Sequence, residues 1–243
     1  MSLVLVTGAS TGLGLAATTA LLDAGHQVVM HARRADRVED QSVLDRVHAV
    51  VTGDLADPGV TVGLAEQVNA FGALDAVIHN AGTMRGPVIE TNLVAPYLLT
   101  ARLRTPGRAV FLSSSLHRGG RTDLEAMAVL GGPDGRQSYE DSKLLVTALA
   151  MALARSSPAT PSHAVDPGWV PTRMGGRGAS DDLALGHETQ VWLATAPVGT
   201  VQPATGGYWY HRRAQQPDPR AEDERFQQEL LDRLHAATGV ALS

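Results

Sequence analysis

Ser138-Tyr139-Glu140-Asp141-Ser142-Lys143 sets a phenol and an amine four residues apart at the head of an apolar run that includes Leu144, Leu145, Val146, Leu149, Met151 and Leu153. On a helix that spacing stacks Tyr139 and Lys143 on one face. A phenol beside an ammonium can hold or hand over a proton, and the same pair also arises where a packed aromatic neighbours a surface amine. Upstream, the apolar run of Arg108 to Ser114 (RAVFLSS) ends in hydroxyls and continues into Ser115. Strand alternation places Val110, Leu112 and Ser114 on one face and Phe111, Ser113 and Ser115 on the other. Only one of those faces can look at Tyr139 and Lys143.

The element that organises these groups is the start of the chain, LVLVTGASTGLG. Leu3 to Val6 is a short apolar run of the kind a buried parallel strand shows. Gly8, Gly12 and Gly14 follow, then a helical pattern from Leu13 to Ala24 with its apolar side at Leu13, Ala17, Ala20 and Leu21. Glycines suit a strand that turns straight into a helix, because the backbone angles are unusual and a pyrophosphate must come close to the main chain. The helix start offers unpaired N–H groups and partial positive charge to phosphates. Gly8, Ser10, Thr11, Gly12, Leu13 and Gly14 are therefore candidate dinucleotide contacts.

Bulk properties narrow the chemistry. The 243 residues carry a formal charge of -5 with acids and bases interleaved, so neither a nucleic-acid footprint nor a polybasic membrane contact is expected. The partner expected is a small molecule. Zero cysteines exclude disulfides, thiolate metal sites and a cysteine nucleophile, and the nine histidines form no H-E-x-x-H pair, so no metal is expected. No apolar run approaches the ~18 residues of a membrane span and no export signal is evident, which makes the cytoplasm the expected location.

Further strand–turn units follow in order. Gln27 to His31 reads as a second strand, with Arg33 19 residues beyond Gly14. An acid at that point receives the ribose 2′-hydroxyl of NAD, whereas an arginine accommodates the 2′-phosphate of NADP, so Arg33 points to NADP(H), with NAD(H) as the alternative. Asp36 to Val47 is expected to be a helix and His48 to Thr52 a strand, leading to Gly53, Asp54 and Leu55. The Asp54 carboxylate at a strand's carboxyl end suits an adenine amino group and equally suits a turn. Asp57-Pro58 starts another helix, and Asp75 to Asn80 is a fourth strand ending in Asn80, Ala81 and Gly82.

TGASTGLG, then GDL, then NAG, each after its own strand, resemble the short-chain dehydrogenase/reductase family of nicotinamide enzymes. S-Y-E-D-S-K matches that family's Y-x-x-x-K. The resemblance implies a single doubly wound α/β (Rossmann) domain over residues 1–243 with a central parallel sheet of about seven strands. It implies hydride transfer between nicotinamide and a carbonyl or alcohol, with Tyr139 as general acid or base. It assigns Ser114 to the reacting oxygen, with Ser115 as rival, and Lys143 to the ribose hydroxyls. Asn92, within TNLVAPYLLT, is implied to hold a water that links Lys143 to solvent. NAG is implied to lie under the adenine ribose and to steady the central strand. Asp166-Pro167-Gly168-Trp169-Val170-Pro171-Thr172 matches the P-G-x-V-x-T segment over the nicotinamide, which brings in Pro167, Gly168, Val170 and Thr172. Dimers or tetramers through the helices of Asn92 and Tyr139 are common in the family. A non-catalytic NADP(H)-binding regulator is the alternative that the same motifs allow.

Two departures stand out. Only nine residues separate Gly82 from Asn92, which shortens one side of the pocket, and the Gly-rich stretch 116–137 lengthens the Ser114 to Tyr139 interval toward the retinol-dehydrogenase-like and carbonyl-reductase-like members. Leu124 to Leu130 is expected to form a short helical turn within that stretch. Gly175, Gly176 and Gly178 suggest a lid before a helix over Ser180 to Leu193, and Leu116, Trp169 and Met174 hint at an apolar ligand. Gly206 to Tyr210 is the last expected strand, and Glu222 to Ala237 the last helix. A free tyrosine titrates near pH 10, so ionising near pH 7 needs a shift worth about 4 kcal/mol. One ammonium ~4 Å away at an effective dielectric near 20 supplies roughly that, so Lys143 is expected to pull Tyr139 down.

Overall fold

The computed structural model describes residues 1–124, 138–157 and 159–242. Seven parallel strands form its centre: β1 (Leu3–Val6), β2 (Gln27–Ala32), β3 (Ala49–Thr52), β4 (Ala76–His79), β5 (Ala109–Leu112), β6 (Ser162–Asp166) and β7 (Tyr208–Tyr210). An eighth, β8 (Arg213–Gln215), runs antiparallel to β7, and the order is β3-β2-β1-β4-β5-β6-β7-β8. This is one strand more than expected. The hairpin turns through His211 and Arg212 at φ 46° and 61°. Such turns are normally announced by Gly or Asn, and neither is present.

Period-two alternation divides the apolar residues between two layers. Val4, Val6, Ile78, Val110 and Val165 face α1 (Gly12–Asp23), while Leu5, Val29, Val77, Phe111 and Ala164 lie in the opposite core. That second core is closed by α2 (Pro58–Asn69), α3 (Ala95–Arg102) and α4 (Tyr139–Ser156); α5 (Leu183–Thr195) joins α1 on the first face. A short α6 (Pro219–Glu222) and then α7 (Glu224–Thr238) end the fold, with Leu230 and Leu234 fully buried in the second core. The expected single helix from Glu222 is interrupted because the Asp223 side chain accepts from the Phe226 N–H at 2.8 Å and caps a new helix there.

The helix expected over Asp36 to Val47 is instead two 3-10 turns, Ala35–Arg37 and Gln41–Asp45. Asp40 takes both the backbone N–H and the hydroxyl of Ser42, at 3.0 and 2.6 Å, and this local bonding competes with a helix. The helix expected from Ser180 begins at Leu183, capped by Asp182. Of the turn expected at Leu124 to Leu130, all but the buried Leu124 lies outside the described residues.

Sheet order reverses between β1 and β4, and at such a switch the carboxyl ends of the strands frame a crevice. TGASTGLG follows β1 and NAG follows β4, so the topology brings both to the same edge.

Candidate active site

The glycine turn is built to be approached. Gly8 has φ +63°, and a Cβ there would lie 2.7 Å from the Ala81 Cα; one on Gly14 would lie 2.4 Å from the Asn80 amide nitrogen and 2.5 Å from the Gly8 carbonyl. Asn80 donates to the Thr7 and Gly8 carbonyls at 2.8 and 3.1 Å, and the Ala81 N–H donates to the Thr7 hydroxyl at 3.0 Å. NAG thus braces the turn. Asp57, Ser138, Asp182 and Asp223 each cap their own helix, whereas Thr11 makes no side-chain cap to α1, whose first turn also lacks an acid. Those N–H groups are left for an anion. Thr172 packs on the same turn, its methyl 3.2 Å from where a Gly12 Cβ would be. Val170 is buried, and its methyl and that of Leu13 would both meet a Cβ on Gly186, at 2.7 and 2.8 Å.

Gly14→Ala is therefore expected to push Asn80 off the turn. Overpacking of this kind costs about 1–3 kcal/mol in stability. Affinity for a nicotinamide dinucleotide, measured by fluorescence titration of its reduced form, is expected to fall by at least about tenfold; wild-type affinity and urea midpoint in this variant would remove the packing argument.

His31 was not legible as a functional residue. It is buried, accepts from the Gly8 N–H on Nδ1 at 3.1 Å and meets the Gly53 carbonyl through Nε2 at 3.1 Å. Because the backbone N–H must donate, the ring proton sits on Nε2. Burial lowers its pKa, with the Gly53 bond opposing. One neutral imidazole thus joins the glycine turn to the GDL turn. Beyond it Arg33 and Asp54, both exposed, stand 3.9 Å apart at the ends of β2 and β3, while Arg34 is engaged by Asp36. The Leu55 side chain is in the core, so what it offers a ligand is its main chain.

Around Tyr139 the expected groups converge. Ser138 and Asp141 exchange bonds in a capping box, each 3.1 Å, which starts α4 at Tyr139 and fixes its first turn. Ser114 is extended at the end of β5, where its hydroxyl accepts from the Leu116 N–H at 3.2 Å and stands near enough to Tyr139 to ease ionisation of the phenol. Ser113 is consumed in the core by Thr147 at 2.6 Å, Ser115 lies on a cavity wall, and Ser114 is the serine that influences the phenol. Lys143 is buried and donates to the Leu112 carbonyl at 2.7 Å, with Nζ 5.3 Å from the Tyr139 ring centre.

The electrostatics reverse the expected sign. Burial pushes the Tyr139 phenol up to about 12, opposed by the nearby Ser114 hydroxyl and reinforced by Asp166 and Glu140. Burial brings Lys143 down to about 8, with Asp166 opposing. The ammonium is turned to a carbonyl rather than to the phenol oxygen, and desolvation of the phenolate outweighs it.

Asn92 is buried in a π turn, Glu90–Val94. Its Oδ1 accepts from the Thr83 N–H at 2.7 Å, and its Nδ2 donates to the Thr83 carbonyl and the Ser142 hydroxyl, both at 2.9 Å. Both amide protons are used, so the side chain braces Thr83 and Ser142. Its main-chain carbonyl is different, because the residue four positions on is Pro96, which has no N–H to give. Gly82 fits between these groups, with its Cβ position 3.4 Å from Asn92 Oδ1 and 3.7 Å from Lys143 Nζ.

A cavity of about 440 Å³ adjoins, walled by Ser115, Asp166, Trp169, Tyr208 and Tyr210. Leu116, Trp169 and Met174 are all substantially exposed. The β7 tyrosines and the buried Asp166 were missed as site residues; the one available signal was an acid ending an apolar strand before Pro-Gly. Asp166 accepts from the Gly168 N–H at 3.0 Å and from the Tyr208 hydroxyl at 3.4 Å. Asp181 accepts from the Trp169 N–H at 2.8 Å and fills the space a Cβ on Gly168 would need, which fastens the P-G-W-V segment. A second cavity, about 510 Å³, borders Thr11, Gly12 and Thr172 rather than the cavity beside Ser115 and Asp166. Among the described residues no helix is long and apolar enough to cross a membrane.

A Rossmann-like sheet with a glycine turn at its switch point, and a phenol, a hydroxyl and an amine beside it, is the frame of a nicotinamide oxidoreductase. The short chain dehydrogenase family model matches residues 2–182. Short-chain dehydrogenase chyC of Penicillium rubens is 34% identical over 100% of this chain and 99% of its own. Retinol dehydrogenase 14 of Mus musculus is 26% identical over 98% of this chain and 86% of its own. NADPH-bound carbonyl reductase from chicken fatty liver shares the fold at TM-score 0.72 and 21% identity, over 89% of this chain and 99% of that one. The chain belongs to the short-chain dehydrogenase/reductase family of NAD(P)-dependent oxidoreductases.

Proposed function

We propose that the protein is an NADP(H)-dependent reductase of small carbonyl compounds, running in reverse on the corresponding alcohols. The observation that carries this reading is the Tyr139 phenol, set near Ser114 and held protonated by burial, since a carbonyl oxygen gaining negative charge needs a proton donor beside it. The glycine turn, the open α1 terminus and Lys143 suit a dinucleotide, with Arg33 toward a 2′-phosphate and Pro167, Gly168, Val170 and Thr172 along the covering segment. When bound, the dinucleotide supplies the hydride for reduction and takes it back in oxidation.

The chain's own part is proton and charge handling. Tyr139 gives its proton to the substrate oxygen, and Ser114 donates to the same oxygen. A pre-placed donor of that kind contributes about 2.7–4 kcal/mol. Lys143 and the Asn92 carbonyl, which Pro96 deprives of the ordinary i+4 donor, form the route by which the phenolate is reprotonated from water. Trp169, Tyr208 and Tyr210 offer aromatic walls to the substrate.

The test is an absorbance assay of NADPH oxidation with a panel of aldehydes, ketones and quinones. NADPH is expected to exceed NADH in kcat/KM by tenfold or more, and Arg33→Ala to erase most of that ratio, since a hydrogen bond to a charged group contributes about 1.5–3 kcal/mol. NADPH binding with no turnover on any member of the panel would instead favour the non-catalytic binder, and equal use of NADH would remove the role of Arg33.

A further inference from the structure

Ser114 heads a 3-10 turn, Ser115–Gly119, whose far side is gripped by a distant segment. His117 is wholly buried in that turn. Its Nδ1 stands 2.7 Å from the Ser114 carbonyl, and its Nε2 accepts from the Asp218 N–H at 2.8 Å. A backbone N–H can only donate, so Nε2 is bare and the proton is on Nδ1, pointing at Ser114. The ring also leans on Tyr208, centroids 4.8 Å apart.

Other bonds run in parallel. Arg220 donates to the Gly120 and Arg118 carbonyls at 2.7 and 2.9 Å while gripping Asp218 with two bonds of 2.8 and 2.9 Å. Arg118 donates to the Gln216 carbonyl at 2.6 Å. On its near side the turn presses on the start of α4, where a Cβ on Gly120 would lie 2.7 Å from the Glu140 carbonyl. The turn is thus held between the first turn of α4, which carries Tyr139, and residues 216–220, which lie beyond the 2–182 stretch matching the family model.

We propose that His117 is the positioning residue of Ser114: a neutral imidazole that bolts the serine turn to Asp218 and so fixes where the Ser114 hydroxyl stands relative to Tyr139. The proposal rests on the catalytic reading of Ser114 given above. Without the bolt the Ser114 carbonyl loses its side-chain donor, and the turn keeps its backbone ties, the bond from the Leu116 N–H to the Ser114 hydroxyl and the two arginines. Reacting groups tolerate displacements of well under an ångström before rates fall.

Protonation undoes the arrangement from within. A proton on Nε2 would face the Asp218 N–H, turning an acceptor into a second donor. The charged groups around the ring are Arg118 on its own turn, Asp218 with Arg220 from the carboxyl-terminal segment, and Asp166 from β6; Glu140 packs on the neighbouring Gly119 from α4. Burial is the largest influence and lowers its pKa from the ordinary 6.5, with the Ser114 bond opposing. The bolt is therefore intact at neutral pH and opens on the acid side.

Asp218→Pro tests this. Asp218 has φ −62°, an angle proline adopts, so the substitution removes the N–H that holds Nε2. It also removes the carboxylate, so Asp218→Ala, which keeps the N–H, is the control. His117→Phe keeps a ring and removes both bonds. The readouts are kcat with the best substrate of the carbonyl panel, NADPH affinity by fluorescence, and amide hydrogen exchange of residues 112–120. His117→Phe and Asp218→Pro are expected to lower kcat about tenfold and speed exchange, with NADPH affinity unchanged and Asp218→Ala staying near wild type. Added to Ser114→Ala, His117→Phe should cost no further activity. The wild-type kcat should carry an acid limb below pH 6.5 that His117→Phe lacks, measured where circular dichroism shows the fold intact.

Unchanged exchange in Asp218→Pro would overturn the bolt itself. Faster exchange with wild-type kcat, against a large loss in Ser114→Ala, would overturn its positioning role. Full activity in Ser114→Ala would instead bring down the catalytic reading of Ser114, and the positioning role with it.

Discussion

Tyr139→Phe should retain NADPH binding within about twofold and lose carbonyl reduction by about three orders of magnitude, the middle of the range for a positioned general acid. The ring stays and only the hydroxyl goes, so packing at the head of α4 is preserved. Stopped-flow decay of NADPH absorbance measures the chemical step directly. Near-normal turnover would eliminate the phenol as proton donor. The pH dependence discriminates further. A phenol held up near 12 by burial remains protonated throughout the neutral and mildly alkaline range, so the phenol itself imposes no decline from pH 7 to 9, and the decline expected in that window is the one near 8, where Lys143 loses its proton. Had Lys143 dominated, reduction would instead decline as pH rose through 7. A decline there in the loaded enzyme would mean that the ligand's charge, absent from the terms set by the protein alone, has overturned the balance.

The second large effect concerns stability. Four buried histidines are held neutral: burial brings His79 down to about 3 and His163 to about 4, and it lowers His31 and His117 as well. Each has a geometric reason. His163 Nδ1 accepts from the Gly207 N–H and the Trp209 indole at 3.2 and 3.1 Å, and His31 and His117 each accept a backbone N–H. Thr100 gives its proton to the Pro96 carbonyl, so His79 donates to Thr100 through Nε2, and its Nδ1 is left buried without a partner.

In the unfolded chain these groups titrate near 6.5, so above that pH neither state binds protons and the full stability is present. Below it the unfolded chain takes up protons that the folded chain refuses. Each such site costs about 1.4 kcal/mol per pH unit until its folded pKa is reached. For His79 and His163 alone the loss by pH 4 is on the order of 6 kcal/mol, comparable with the whole stability of many domains. Acid unfolding is expected between about pH 4 and 5.5, above the range where Asp218, held down to about 2 by Arg220, is protonated. Urea midpoints at successive pH values measure it, and His79→Leu should flatten the slope by one proton's worth. A midpoint at pH 5 equal to that at pH 7.5 would sink the account.

What could be read from the sequence was what backbone sterics and local spacing determine. Gly8 and Gly14 sit where a Cβ has no room, Tyr139 and Lys143 share a helical face, and Asn80-Ala81-Gly82 meets the glycine turn because both end strands at the switch point. The helix lost after β2 went to Asp40, whose short side chain bonds its own neighbours. β8 escaped because His211 and Arg212 make its turn without glycine. The direction of the Tyr139 shift was misjudged because desolvation is a property of the packed protein, whereas the distance to an amine four residues away can be anticipated. His31, His117 and Asp166 were invisible as site residues for a related reason, since their partners lie far away along the chain.

That separation has a consequence for the order in which the molecule is assembled. The glycine turn is braced by residues 71 to 74 positions away, whereas the Ser114 turn waits for Asp218 and Arg220, about 100 positions downstream. Long closures are slow, and here they come late. A growing polypeptide thus completes its nucleotide cradle first and its reactive corner last.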